Sequence, residues 1–184
     1  GIRLRKCGQE IIEVLGTRRI HTPWAVAGGV REPFDPARRE YLLNWIPEAK
    51  ATAVMALDTL KSIHTKFEHD IPNYGNFRSL FMGMVGDDGA LEYYDGTLRV
   101  MDGDGNIIAD KINPTKYRDY FGEAAEDWSY LKFPYYKPLG YAKGMYRVGP
   151  LARVNICDYI DTPMAEAERR IFKSLAGDAG TVNN

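Results

Sequence analysis

The chain has 184 residues, 45% of them hydrophobic and 27% charged, with a formal net charge of −1. Those values are ordinary for one soluble globular domain, or for one large piece of a domain. A charge this close to zero excludes general attraction to nucleic acid or an anionic membrane surface, and no apolar run is long enough to span a bilayer.

The chain opens on Gly1 with Ile2-Arg3-Leu4 already in helical register and without an initiator Met, as if cut from something longer. Leu4, Cys7, Ile11 and Leu15 recur at helical spacing and predict an amphipathic helix ending at Gly16. The block from Gly16 to Val30 follows as a connection crowded with chemistry. It holds Arg18, Arg19, His21, Pro23, Trp24 and the pair Gly28-Gly29. The arginines and the histidine can donate to an anion, a sulfur or a carboxylate. The glycines can let backbone approach a neighbour. An ordinary inter-helix loop with a Gly-Gly turn is the competing reading.

Asp35 then predicts a cap for a second helix, with Pro36 at its first position. Tyr41, Leu42, Trp45 and Ile46 form its apolar face, and Pro47 should kink or restart it. Ala53, Leu57, Leu60, His64 and Phe67 continue one stripe to about Glu68, and Pro72, Asn73 and Gly75 end the helical region. Leu80 to Val85 reads as a strand, Gly86 to Gly89 as a turn, and Ala90 to Tyr94 as a second strand. Leu98 to Met101 and Asn106 to Ala109 flank Asp102-Gly103-Asp104-Gly105, a hairpin signal. Pro114 to Ala125 reads as a short helix capped near Asn113. Trp128 to Arg153 reads as largely extended chain, and Thr162 as the cap of a last helix from Pro163 to about Leu175. The tail from Gly177 is expected to fray. Helices, then hairpins, then irregular chain predict an α+β fold. Its parts are a helical stretch over 1–70, a peripheral antiparallel hairpin sheet over 78–112, and an aromatic-rich extended segment with a C-terminal helix over 113–184.

Several motifs weaken on inspection. Asp102 to Asn106 resembles the start of a calcium loop, but Ile107 and Asn113 stand where that loop needs Gly and Glu, so the hairpin turn is preferred. His64 and His69 are five apart, whereas helical metal pairs prefer three or four. His64 is read as a core histidine and His69 as part of a helix terminus. Cys7 and Cys157 form no Cys-x-x-Cys pair, so no disulfide framework is expected and an intracellular setting is favoured. Cys7 reads as packing, and Cys157 with His21 as base makes a weak nucleophile pair. Aromatic and basic residues interleave from Tyr117 to Tyr146. They suit either a protein interface or core packing better than nucleic acid in a chain of neutral charge.

Four segments in order resemble a known family. They are Arg5 to Ile12 (RKCGQEII), Arg18 to Val30 (RRIHTPWAVAGGV), Trp128 to Tyr136 (WSYLKFPYY) and Tyr146 to Asn155 (YRVGPLARVN). Together they resemble the middle of a nickel–iron hydrogenase large subunit, of the cytoplasmic bidirectional NAD-linked class. The resemblance implies the long helices of a large-subunit core beside the hairpin sheet, and a parent that splits dihydrogen into protons and electrons. It implies two partners: an iron–sulfur small subunit, plus a flavin-containing diaphorase module that hands electrons to NAD. The nickel–iron centre would sit in the parent only, on two terminal Cys-x-x-Cys pairs that this chain lacks. No cofactor, metal ligand or catalytic residue is therefore expected on this segment, which should be inactive alone.

The same resemblance gives His21 a place facing the small subunit, with Arg19, Gly28 and Gly29 beside it. Imidazole N–H donation to a cluster sulfur is the implied role. Thr17 stands where the family commonly has glycine, and Ala27 where it commonly has proline. Two other parents compete: the quinone-site subunit of a complex I-like enzyme, and a non-catalytic interaction module built on the Tyr117 to Tyr146 surface.

Overall fold

The chain forms two units, residues 1–68 and 69–184, and the computed structural model describes residues 1–177 and 180–183. In the first unit, helix α1 spans Ile2–Gly16 and buries Cys7, Glu10 and Gly16. Strands β1 (Ala25–Val26) and β2 (Gly29–Val30) form a minimal antiparallel hairpin. Helix α2 covers Pro36–Leu43; the Asp35 side chain accepts from the Ala37 N–H at 2.8 Å, so the expected cap is present. Helix α3 covers Ile46–Lys66 with Pro47 in its first turn, where no helical hydrogen bond is lost. Pro47 therefore restarts the helix rather than kinking it.

Packing in this unit departs from the sequence expectation. Cys7 is its single buried hydrophobic side chain among the described residues. Of the stripe on α3, only Leu57 is half-buried; Ala53, Leu60, His64 and Phe67 are exposed. The reading of His64 as a core histidine is thus corrected, because no second layer of this unit covers that face.

The second unit is built on a four-stranded sheet. Strands β3 (Leu80–Val85), β4 (Thr97–Met101) and β5 (Ile107–Ile112) run antiparallel, and the short strand Tyr146–Arg147 pairs parallel to β3, giving the order β5, β4, β3, Tyr146–Arg147. The period of two along β3 divides the core. Phe81 and Val85 pack with Met101, Ala152, Ile156 and Cys157 on one face. Leu80 packs with Val100, Ile112 and Tyr136 on the other. Gly83 lies between Phe81 and Val85, and a Cβ there would come within 2.6 Å of Ile156 Cδ1. The absence of that carbon lets the helix that carries Ile156 lie close to the strand.

Three chain segments take forms other than those expected. Ala90 and Leu91 make only isolated bridges, to Tyr159 and Val85, rather than a strand. The expected helix over Pro114 to Ala125 is a 3-10 turn at Pro114–Lys116, a single turn α4 at Tyr117–Tyr120, and then strand β6, Phe121–Glu126. The cap itself is right, since Asn113 accepts from the Thr115 N–H at 2.9 Å. Strand β7 (Ser129–Tyr136) pairs antiparallel with β6. Beyond it the chain is helical rather than extended: a 3-10 turn at Lys137–Leu139, α5 at Gly140–Gly144, β8 at Tyr146–Arg147 and α6 at Gly149–Ile156. The last helix, α7, runs Pro163–Ser174 as expected.

The tail is docked where it is described. Thr181 and Val182 are buried, and the Thr181 hydroxyl donates to the Gly103 carbonyl at 2.7 Å. Fraying is therefore corrected for residues 180–183; Asp178, Ala179 and Asn184 lie outside the described residues.

Candidate functional site

The loop after α1 is shaped by its first two residues. A Cβ on Gly16 would fall 1.3 Å from Thr22 Oγ1, so only glycine lets the loop fold back on the helix end. Thr17 closes the helix in the left-handed conformation, at φ 66°, with its N–H on the Glu13 carbonyl at 2.8 Å. A β-branched residue is costly there, and glycine is free of that cost. Thr17→Gly is accordingly expected to stabilise the first unit by about 1 kcal/mol. Urea unfolding of the two proteins side by side checks this, and a destabilised variant would show the helix end to be misassigned.

His21 lies in the same loop, also left-handed at φ 51°, and is exposed. It makes no side-chain hydrogen bond among the described residues. Arg19 turns back instead, and its Nε donates to Glu13 at 2.7 Å. Gly28 has φ 87° and serves the β1–β2 turn. Nothing lies within 4 Å of a Cβ on Gly28 or Gly29, so within this chain neither glycine is needed for a close approach. Ile20 and Trp24 add exposed apolar surface to the same loop.

Below the loop is a polar cavity of about 420 Å³, lined by Glu10, Glu13, Thr17, Arg19, Arg38 and Tyr41 among others. Its carboxylates are already matched. The Tyr41 hydroxyl donates to Glu10, which raises the phenol above its ordinary value. Lys6 Nζ lies 3.7 Å from Glu10, and Arg19 neutralises Glu13. Such a set holds the helices and the loop together and presents no free ligand pair.

The other sequence candidates separate. Cys157 is buried against α6 and burial pushes its thiol up, the reverse of what a nucleophile needs. His21 belongs to the other unit, so the structure gives that pair no support. Asp102 accepts from the N–H groups of Asp104 and Asn106, both at 2.9 Å, and so shapes the β4–β5 turn. The aromatic segment divides between both readings. Phe121 meets Tyr146 and Tyr136 at centroid distances of 5.4 and 5.9 Å in the core, while Trp128 and Tyr130 are 75% and 96% exposed at the β6–β7 tip.

Two polar groups escaped the sequence reading. Arg99, 6% exposed, donates to both Asp110 oxygens, to the Ile156 carbonyl and to Asp158, each at 3.0 Å. Asn155, 1% exposed, donates to the Leu151 and Val182 carbonyls at 3.1 and 2.8 Å and accepts from the Val182 N–H at 3.1 Å. Arg99 reads in sequence as an ordinary strand arginine. Asn155 lies inside one of the four resemblance segments, which is the signal that could have marked it.

No family model matches the chain. It is 35% identical over 176 residues to the vhu polypeptide of the F420-non-reducing hydrogenase of Methanocaldococcus jannaschii, covering 96% of this chain and 42% of that protein. It is 34% identical over 189 residues to the NAD-reducing hydrogenase HoxS subunit beta of Cupriavidus necator, covering 100% of this chain and 38% of that protein. A crystal structure of an NAD+-reducing NiFe hydrogenase in the H2-reduced state matches with TM-score 0.89 and 38% identity, over 98% of this chain and 40% of that one. The chain is similar, over nearly its whole length, to hydrogenase subunits. It spans about two fifths of the length of the relatives it matches.

These relatives correct the expected subunit identity and its role. They carry the names of the vhu and HoxS beta polypeptides, and a relative in Archaeoglobus profundus, 29% identical over 186 residues, is named an iron-sulfur subunit of an F420-non-reducing hydrogenase. The assignment to a nickel–iron large subunit, with the role of large-subunit scaffold, gives way to a likeness to hydrogenase subunits of these names. Neither the quinone-site subunit nor the stand-alone interaction module is better supported. The cofactor expectation, a nickel–iron centre in the parent only and no group on this segment, is likewise corrected, since the printed name of the Archaeoglobus profundus relative points to an iron–sulfur group. The residues of this chain do not fit such a group. Cys7 and Cys157 are its two cysteines, each buried and in a different unit, where a cluster takes about four thiolates. Among the described residues no three His, Cys, Asp or Glu side chains gather to hold a metal. No described helix is long and apolar enough to cross a membrane.

Proposed function

We propose that the chain is a segment of a hydrogenase subunit working in a multi-subunit complex. The reaction of that complex is the reversible conversion of dihydrogen to protons and electrons, with NAD+ as electron acceptor in the cytoplasm. The observation that carries this reading is the match to an NAD+-reducing hydrogenase at TM-score 0.89 and 38% identity over 98% of the chain. Fold alone would support little, since one fold hosts many activities; the sequence identity that accompanies it is what supports the reading.

The part played by the loop after α1 is partner-facing. The loop from Arg18 to Val30 offers His21 as an unengaged imidazole beside exposed Ile20 and Trp24. Arg19, turned back onto Glu13, and the Gly28-Gly29 turn hold that loop in shape. A donor-bearing, partly apolar loop of this kind suits contact with another subunit.

The complex that contains this chain, purified and assayed for dihydrogen-dependent reduction of NAD+ and of benzyl viologen, tests the reading. Reduction of both is expected. Failure with both acceptors in an intact complex overturns it. His21→Ala is expected to lower the NAD+ rate while the complex still assembles, and an unchanged rate would remove His21 from the proposal.

A further inference from the structure

A cleft of about 430 Å³ opens beside the β6–β7 ribbon, wholly within residues 69–184. It is built by α4, the start of β6, Pro134 of β7, the 3-10 turn that carries Lys137, and β8 with Tyr146. Convergence of this many elements makes a concave site rather than a groove along one of them. The volume lies within the range of small-ligand pockets, about 300–1,000 Å³.

The lining combines aromatic surface with charge. Phe121 and Tyr146 pack edge to face with ring centroids 5.4 Å apart. The Tyr146 hydroxyl has no hydrogen-bond partner among the described residues. Burial first, and then the charge of Glu123, push this phenol up, so it remains a donor through neutral pH. Arg118 and Lys137 add two cations to the same lining. Arg118 Nε donates to the Tyr117 hydroxyl at 3.2 Å, and Lys137 Nζ donates to the Arg118 carbonyl. Both acceptors are neutral, and neither cation meets a carboxylate among the described residues. Glu123 also lines the cleft and pairs with neither of them. Lys137 thus holds the backbone of the residue that carries the other positive charge, and the two cations share one cleft without a counter-ion. An anion between them removes their mutual repulsion and gains charge-assisted hydrogen bonds.

We propose that this cleft binds a small phosphate ester bearing an aromatic ring, of the size of a nucleoside monophosphate. Arg118 and Lys137 take the phosphate, one as a planar fork and the other as a point charge. The ring lies against Phe121 and Pro134, which offer flat apolar surface. Glu123 accepts from a hydroxyl or amine of the ligand, and the Tyr146 hydroxyl donates to it. A bare anion would leave the aromatic side unused, and an uncharged ring would leave both cations unneutralised. Nothing in this site depends on the proposed hydrogen chemistry, so either can fail alone.

The test uses the complete subunit in its native complex, photolabelled with a subsaturating azido derivative of adenosine monophosphate and mapped by peptide mass spectrometry. Label is expected on the peptides that carry residues 117–123 or 134–146. Adenosine monophosphate should displace it at concentrations about tenfold or more below those required of adenosine or of inorganic phosphate. Arg118 is exposed, so Arg118→Gln should leave the fold intact and cut this labelling about tenfold. Lys137→Met should act in the same direction, whereas Lys132→Gln, outside the cleft, should leave the labelling unchanged. Absence of label from these peptides, as when another segment or subunit fills the cleft, overturns the proposal. Displacement by phosphate or adenosine as readily as by the monophosphate overturns it too, as does undiminished labelling of Arg118→Gln.

Discussion

Arg99→Met is expected to destabilise residues 69–184 by about 3 kcal/mol. Arg99 is the one buried cation, among the described residues, that ties the edge strand, the sheet centre and the chain after α6 together. Its guanidinium forks onto Asp110 of β5 through Nε and Nη2, and the third nitrogen, Nη1, reaches both the Ile156 carbonyl and Asp158. Methionine fills the space of the stem but leaves these acceptors without donors, and that loss of partners dominates the cost. The figure stays at the low end for a broken buried pair because Asp110 and Asp158 keep contact with water. Arg99→Lys should recover only part of the loss, since an ammonium cannot make the fork. Native-state hydrogen exchange of the β4 and β5 amides measures the effect, and a loss below about 1 kcal/mol would show the network to be ornamental.

The same pair sets a pH dependence with a definite sign. The Arg99 hydrogen bond is the main reason that the Asp110 carboxyl is held below its ordinary value. A depressed carboxylate stabilises the fold fully above its unfolded value, about 3.9, and ceases to do so as pH falls through the folded one. The advantage of the natural protein over Arg99→Met should therefore be flat through neutral pH and shrink only below about pH 4.

Why Asp110 can reach Arg99 at all is a matter of register, and it shows where sequence reading stops. Leu98 pairs with Ile112 and Val100 with Ala109, so Asp110 and Lys111 together stand opposite Arg99. Lys111 takes φ 53° to accommodate this bulge. A bulge turns a side chain away from its regular direction, and here it aims the carboxylate inward. The partners are 11 and 59 residues from Arg99 in sequence, and no local pattern announces either. The hairpin itself was legible because Asp102-Gly103-Asp104-Gly105 satisfies its own turn with local hydrogen bonds. The Asp35 and Asn113 caps and the restart at Pro47 were legible for the same reason.

Strand β6 was not legible, and its composition explains why. Phe121 to Glu126 is rich in Ala and Glu, which favour helix, and its partner strand carries Pro134 opposite Glu123. Tertiary contact of Phe121 with Tyr136 and Tyr146 outweighs those propensities. At the level of function, the four ordered segments point to hydrogenases, and the relatives agree on that. The choice of subunit made from them is corrected, because a match of internal motifs does not fix which named polypeptide carries them. The exposure of His21 and the engagement of Arg19 with Glu13 likewise depend on loop conformation, which the residue types leave open.

Asn155→Leu is expected to free the C-terminal residues from the sheet and to cost about 2 kcal/mol. Asn155 is a peptide mimic set into α6: its amide exchanges both a donation and an acceptance with Val182, as a neighbouring strand would. Leucine has the same branching at Cγ, though it is bulkier, and offers neither group, so the Val182 N–H and carbonyl would be buried without partners. The chain escapes that penalty by swinging residues 180–183 into water, and the observed cost is then the docking free energy of this strap rather than the full desolvation penalty. Undocking also breaks the Thr181 hydroxyl bond to Gly103 and the Lys173 ammonium bond to the Gly180 carbonyl at 3.0 Å. Lys173 is held below its ordinary value mainly by burial, so its release should be accompanied by a rise toward that value. Asn155→Asp separates the two halves of the amide. It keeps the acceptor for the Val182 N–H but loses the donations to Leu151 and Val182, and it adds a buried charge, so it should be at least as damaging. Loss of protection at the Val182 amide, with the β3 and β4 amides still protected, is the expected pattern. If all of them fall together, Asn155 supports the core itself and the strap is not a separable element.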